Sequence, residues 1–336
     1  NVWSYVVPLA ITLLLYQCNI KKIWKESGKL LIIFFISAAG TMIGAIVGFK
    51  LLQGKIPYLA EVAAMMTGSY IGGGANFAAM SAAFDTPGDV VSATVVSDNL
   101  LMALYFFILI AIPSMSFFRK HFLHPHVDEV EGQEIKEGET AASSYWTHKD
   151  ISLKDLALSI GSAFVIVAVS TSIASFLSSA IPTSNAFLSI LNTLFGNQYL
   201  IITTVTMICA SIFSNFFSNL GGAQEIGTYL IYIFFVVIGV PASIQSIIMN
   251  SPLLLVFCFV VVLINMLVTF ICAKLFKFNL EEAILASNAC IGGPTTAAAM
   301  AVSKGWTKLI APIMLIGTLG YVIGNYCGII VGNFLM

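Results

Sequence analysis

The sequence predicts an all-α integral membrane protein built by internal duplication, and three observations carry that prediction. Of its 336 residues, 58% are hydrophobic and 9% charged, where a soluble domain carries about 25% charged residues. The apolar residues form continuous runs close to the ~17–25 residues that span a bilayer. One of those runs recurs, with its internal peculiarities, 220 residues further on. The composition excludes a soluble enzyme. A net charge of −1 without a basic stripe gives no support to nucleic-acid binding.

The apolar runs cover residues 2–17, 29–52, 58–84, 89–115, 155–181, 198–219, 222–240, 252–276, 280–303 and 306–335. They are continuous rather than alternating, so helices are expected and a β-barrel is not. Residue 1 is Asn and no signal peptide is visible, so the chain is expected to start inside its gene product. The six cysteines lie in or beside apolar runs with no CxxC spacing and read as small buried hydrophobes. Residues 116–155 differ: they hold eight of the sixteen acids and all four histidines. This segment is expected to be a solvated linker between two membrane halves. Within it, "HFLHPH" (His121, His124, His126) has metal-binding residue types, and it also reads as a plain polar loop.

The duplication is explicit when "EVAAMMTGSYIGGGANFAAM" (61–80) is set against "EEAILASNACIGGPTTAAAM" (281–300). Eight of twenty positions are identical without a gap, where chance in so biased a composition gives about two. The same shift lays 29–52 over 249–272 and 2–17 over 222–237, and pairs 89–115 with the last span. Runs 155–181 and 198–219 have no partner, so about two segments are expected to precede residue 1. The first repeat is therefore 1–115, N-terminally incomplete; the linker is 116–155; the second repeat is 156–336.

Lys21, Lys22, Lys25 and Lys29 cluster before the second run, and Lys274 and Lys277 end the run 252–276. If both clusters are cytoplasmic, the repeats are inverted. The linker and the loop at 241–251 then lie outside. Three long runs plus "TSNAFLSILNTLF" (183–195) connect them, and that parity does not close.

Gly72–Gly73–Gly74 and Gly292–Gly293–Pro294 fall near the middles of their runs. Pro294 lacks an N–H and disfavours helix at Gly293. Irregular backbone survives at membrane depth only where it is buried in protein or lines a cavity. Each run therefore reads as two half-helices, about 58–70 and 75–84, then 280–290 and 295–303. The freed N–H groups at the start of each second half, with Asn76, Thr295 and Thr296, suit an anion. The freed carbonyls ending each first half, near Thr67, Ser69, Ser287 and Asn288, suit a cation. Matched interruptions in two repeats are a pointer to a transporter's binding site; close packing of small residues is the alternative for either one alone.

The remaining signal is Asp98 in "VVSDNLL", about nine residues into its run and so ~14 Å deep. No Lys, Arg or His occupies a span centre. A membrane-embedded acid is costly and is by default functional; here it can exchange a proton for a cation, with Ser97 and Asn99 beside it. The alternative is a protonated Asp bonded to a neighbouring helix.

"TGSYIGGGANFAAM", "VVSDNL" and "SNACIGGPTTAAAMA" together resemble the domain-of-unknown-function 819 membrane family, along the whole chain. That family is grouped with the cation:proton antiporter and anion transporter superfamily. The resemblance implies an inverted-repeat transporter fold with a panel (dimerisation) domain and a core domain containing two crossed discontinuous helices. The panel helices of the second repeat would be 156–240, and the core helices 29–115 and 252–336. By position, Asp98–Asn99 falls where the antiporters keep an acidic pair; here the second acid is an amide, which favours symport or single-ion exchange.

The function expected is secondary active transport by alternating access in a multi-pass protein, of the bacterial cytoplasmic membrane or an organellar inner membrane. Na+ or H+ would couple at Asp98, Ser97 and Asn99 with Thr67, Ser287 and Asn288. A small organic anion, carboxylate or amino-acid-like, would sit on Gly72, Gly73, Gly74, Asn76, Gly292, Gly293, Pro294, Thr295 and Thr296. A homodimer through the panel helices is expected, and no cofactor beyond a coupling ion. A cation/proton antiporter without organic substrate is the alternative. An intramembrane enzyme is disfavoured, because aspartyl proteolysis needs two carboxylates and serine proteolysis a nearby histidine. A non-transporting sensor stays open.

Overall fold

The computed structural model describes residues 5–132, 151–182, 188, 191–192, 195–239 and 244–336. Among these every regular element is helical: α1 (Val7–Leu14), α2 (Ile20–Glu26), α3 (Gly28–Leu52), α4 (Leu59–Gly72), α5 (Gly74–Ala83), α6 (Gly88–Ala111), α7 (Ser116–His121), α8 (Pro125–Glu131), α9 (Leu153–Ala180), α10 (Gln198–Ile212), α11 (Ser214–Ser218), α12 (Ala223–Gly239), α13 (Ile244–Leu275), α14 (Leu280–Ile291), α15 (Pro294–Ser303) and α16 (Thr307–Leu335). Five described helices, α3, α6, α9, α13 and α16, are long and apolar enough to cross a membrane. Local signals set several starts. Asn19 and Asn197 accept the first amides of α2 and α10, and Ser152 with Asp155 closes a capping box on α9.

The bundle is held by glycine tracks. Gly40 of α3 packs on Asn265 and Val268 of α13, Gly44 on Val261, and Gly48 on the Phe257 ring. Numbers rise on one helix as they fall on the other, so α3 and α13 run antiparallel. Spacing by four puts the three glycines on one face and lets backbones touch, as membrane helices require. At this seam Asn265 Nδ2 donates to the Ser37 carbonyl (2.8 Å) and lies 2.9 Å from the Ser37 and Thr41 hydroxyls. Ser287 donates to Asn265 Oδ1 at 2.8 Å, and Tyr105 lies 2.8 Å from Ser287. A buried polar network this fully paired fixes the register of four helices.

The interrupted runs take a form that differs from the expected one. Both chains reverse at the break. A side chain at Gly68 would meet Met80 Cγ at 2.9 Å, and Asn288 Nδ2 lies 3.5 Å from Met300 Sδ. Twelve residues of straight helix would separate either pair by ~18 Å. So α4–α5 and α14–α15 are re-entrant hairpins, not discontinuous helices that cross. The arms agree with this. Ten residues, the length of α5 and of α15, reach only ~15 Å, about half of the ~30 Å hydrocarbon core. Each tip turns on a glycine, Gly73 at φ 93°, ψ −170° and Gly293 at φ 87°, ψ 176°, a region that side chains with a Cβ rarely enter.

The hairpins enter from opposite ends of the bundle. The Phe118 and Phe122 rings, just beyond α6, meet Phe270 near the end of α13. That end therefore collects the start of α3, the ends of α6 and α13, and the lysine clusters. Hairpin α14–α15 begins there and hairpin α4–α5 begins at the other end. This moves the linker: its first residues lie at the same end as Lys274, whose Nζ bonds the His121 carbonyl. Expecting the linker on the opposite side from that lysine counted the interrupted run 58–84 as a crossing. The route from the linker to Lys274 runs through α9, α10, α12 and α13, of which α9 and α13 are long and apolar enough to cross a membrane. Of the short segment 183–195, most lies outside the described residues; its Asn192 donates to the carbonyls of Ser178 and Ile181, which keeps it at the end of α9.

Residues 116–132 are also more than solvated linker. Val127 is buried and its N–H donates to Glu281 Oε1 at 2.8 Å, while the Leu280 N–H donates to the Leu123 carbonyl at 2.8 Å. Lys308 pairs with Glu129 at 2.6 Å, and Arg119 with Glu131. The segment caps the base of the second hairpin. The second half of the linker, 133–150, lies outside the described residues.

Candidate functional site

Helix α6 carries the site on one face. Val95, Asp98, Asn99, Met102 and Phe106 follow helical spacing and line a cavity of about 500 Å³. The opposite face, with Leu100, Leu104 and Phe107 exposed, is the one lipid would cover. Both hairpin tips reach the same cavity: Gly73 and Gly74 from the first, Ile291, Gly292 and Thr296 from the second. Tyr232 of α12 closes one wall. Each tip offers the final carbonyls of one short helix and the first N–H groups of the next, which lack intrahelical partners.

Among the described lining residues Asp98 is the only ionisable acid or base apart from the Tyr232 phenol. Its Oδ1 is buried with no hydrogen-bond partner, and so is the hydroxyl of Tyr70 on α4. Tyr70 sits beside Asp98 and the Cys258 thiol. The two groups are close enough to interact, yet neither oxygen makes a well-formed hydrogen bond; burial without one is costly, and a proton or a cation shared between them would offset that cost. Among the described lining residues Asp98, with the Tyr70 hydroxyl beside it, is the group that could take up a proton or a cation. Tyr70 was not singled out by sequence, since one tyrosine in an apolar run has no distinguishing pattern.

Of the fifteen expected site residues, six line the cavity: Asp98, Asn99, Gly73, Gly74, Gly292 and Thr296. The others have different places. Gly72 packs so tightly that a Cβ would lie 2.4 Å from the Gly320 carbonyl oxygen. Asn76 points away from the cavity; its Nδ2 donates to the Tyr321 carbonyl and to Asn325 Oδ1, both at 2.8 Å. Gly293 and Pro294 are buried, and Pro294 abuts Gly317 of α16. Thr295 is exposed and does not line the cavity. Asn288 and Thr296 bond one another across the second tip, Oγ1 to Oδ1 at 3.0 Å. Ser287 belongs to the α3–α13 seam. Thr67 and Ser97 bond the carbonyls one turn back, at 2.7 and 2.9 Å. Phe106 and Tyr232 are lining residues that hydrophobic patterning could not separate from core.

The histidine cluster does not assemble. His124 Nδ1 lies 2.9 Å from Asp128, and His121 Nδ1 2.7 Å from the Phe117 carbonyl. No group of three His, Cys, Asp or Glu among the described residues could hold a metal.

Fold and site together define a polytopic helical membrane protein in which two hairpin tips meet beside a buried carboxylate. The chain belongs to the family described as protein of unknown function (DUF819), which it matches over residues 1–336. It is 52% identical over 334 residues to the uncharacterized membrane protein YjcL of Bacillus subtilis (strain 168), covering 99% of this chain and 83% of that protein.

Proposed function

We propose that the chain is a secondary active transporter that couples Na+ or H+ to the movement of a small organic anion. One observation carries this reading: the two hairpin tips and Asp98 line a single cavity. Asp98, with Tyr70 and Asn99, would hold the coupling cation. The free amides at Gly74 and at the start of α15, with Thr296, would hold a carboxylate or amino-acid-like solute. Apolar walls from Met102, Phe106 and Ile291 suit a small organic body better than a phosphate ester, which would call for arginine.

Alternating access would move the hairpins, α3, α6, α13 and α16 against α1, α9, α10 and α12. The second group has its own apolar cluster around Leu13, Tyr16, Ala163 and Phe217, as a separate body needs. We assign it the panel role, with a homodimer formed through it, and read the antiparallel α3 and α13 as the mark of inverted repeats. Membership of the cation:proton antiporter and anion transporter superfamily is part of this proposal, with hairpins in place of crossed helices.

The test is a melting-temperature screen of organic anions with and without Na+ across pH, followed by uptake in proteoliposomes. An anion that stabilises only with Na+, or only at acid pH, and is then accumulated supports coupled symport. Absence of any stabilising anion together with absence of uptake overturns it. Cation/proton antiport without an organic substrate is favoured by one fact, the lack of any Lys, Arg or His among the described residues lining the cavity. A pH change in proteoliposomes driven by Na+ alone would select it.

A further inference from the structure

A second concavity, about 490 Å³ and almost wholly apolar, lies on the outside of the bundle between α13 and the short helix α7. Its floor is the outer stripe of α13, with Leu263, Leu267 and Ile271 exposed at helical spacing. Its wall is aromatic: Phe118 and Phe122 stand edge-on to Phe270, with ring centroids 5.4 and 6.2 Å apart. From Leu263 to Leu275 the stripe runs ~18 Å, about the depth of one leaflet of a ~30 Å core.

The mouth of the groove is basic. Lys274 is held there by the His121 carbonyl and lies over the Phe122 ring, 5.6 Å from its centroid. Lys274 is the one lysine among the described lining residues; Lys120 on α7 and Lys277 just past α13 are within three residues of it or of the lining His121 along the chain. The nearby acids Asp128, Glu129 and Glu131 are matched by His124, Lys308 and Arg119. Among the described residues no carboxylate pairs with these three lysines. An apolar slot of leaflet depth, beside positive charge that no described carboxylate pairs, is complementary to a molecule with a fatty chain and an anionic head.

We propose that this groove binds one anionic phospholipid, with an acyl chain along α13 and the phosphate at Lys274 and Lys120. The site is separate from the cavity beside Asp98 and does not depend on what that cavity carries. Basic pockets of this kind at the interfacial end of helices recognise anionic head groups. The pairing of Lys274 with the linker backbone means that the lipid also braces the cap over the second hairpin.

Full-length protein, delipidated in detergent, is titrated with phosphatidylglycerol or with phosphatidylcholine of the same chains. Bound lipid is counted by native mass spectrometry and stability read as melting temperature. One phosphatidylglycerol per chain is expected, with a rise in melting temperature that phosphatidylcholine does not give. Lys120→Gln and Lys274→Gln should each weaken binding about fivefold. Leu267→Trp, which fills the slot and leaves the lysines intact, should also reduce it; this variant and Lys120→Gln stay informative if Lys274→Gln unfolds the cap. Equal retention of both lipids overturns the proposal, as does wild-type binding by the double lysine variant. So does displacement of the lipid by soluble glycerol phosphate, which would show a free-phosphate site. A lipid-free dimer broken by Leu267→Trp would assign the groove to a second copy of the chain instead.

Discussion

Replacing Gly320 by alanine tests the packing on which the site rests. Gly320 lies on α16 where the helix crosses the first hairpin. A Cβ there would stand 2.3 Å from the Ile71 carbonyl oxygen and 3.3 Å from Phe34 Cζ. Ordinary contact begins near 3.4 Å, so helix and hairpin must part by about 1 Å. The obstacle is backbone and cannot rotate away, which puts the cost at the upper end of the 1–3 kcal/mol typical of overpacking, about 3 kcal/mol. Alanine's better helix propensity offsets about 1 kcal/mol. The net loss is about 2 kcal/mol, or several degrees of melting temperature at roughly 2–4 °C per kcal/mol. Ile71 is two residues from the tip at Gly73, so accessibility of a cysteine at position 74 to a thiol reagent should change as well. The control is Gly161→Ala on α9, where a Cβ meets nothing within 4 Å and no loss is expected. If both variants melt alike and the tip reacts as before, α16 does not clamp the hairpin and the cavity geometry is wrong.

Four other outcomes are expected. Asp98→Asn should abolish cation-dependent uptake and make any remaining anion stabilisation independent of Na+ and pH; full cation dependence in the variant would remove Asp98 from the site. Asn265→Leu removes a partner from the Ser37, Thr41 and Ser287 hydroxyls, although Ser287 keeps Tyr105, and should cost about 1–3 kcal/mol for each buried group left unpaired, measured by denaturation in detergent. Thr296→Val cuts the bond to Asn288 and should loosen the second tip, seen as faster hydrogen exchange at 292–297 with the first tip unchanged. The cap should detach in acid. Lys308 and Arg119 hold Glu129 and Glu131 below the ordinary carboxylate value, so their stabilisation is complete above the unfolded-chain value of 4.5. It is lost as pH falls through the lower folded values. Hydrogen exchange of 116–132 rising below about pH 4.5 is the check.

Much of this arrangement was legible in the residues, and what was not has a physical cause. Glycine triplets inside apolar runs announce a break because glycine alone adopts the turn at Gly73 and Gly293 without strain. They do not say whether the chain continues or returns. That depends on whether the arms find each other, and the contacts that decide it, Gly68 with Met80 and Asn288 with Met300, are between ordinary small or apolar residues. The five glycines Gly317, Gly320, Gly324, Gly328 and Gly332 show the helix that both hairpins lean on, yet each alone reads as background in a membrane sequence. Asp98 stood out because charge is rare at depth. Asn76 misled because an amide at a helix start suits a ligand or a neighbour equally, and its partners lie 245 and 249 residues away. Tyr70 was invisible for the opposite reason: only the fold brings it beside Asp98.

The two tips are fastened in unlike ways. The first is tied outward, through Asn76 to Tyr321 and Asn325, and Asn325 in turn donates to Thr203 of α10 at 2.9 Å. The second is tied to itself, through Asn288 and Thr296. Withdrawing the first tip therefore ruptures side-chain bonds made at the tip itself, while the second keeps its own knot and is held to the bundle one turn lower, through Ser287 to Asn265 and Tyr105. Two hairpins of matching sequence are thus anchored differently, and under the proposed transport cycle the first would be the costlier one to displace.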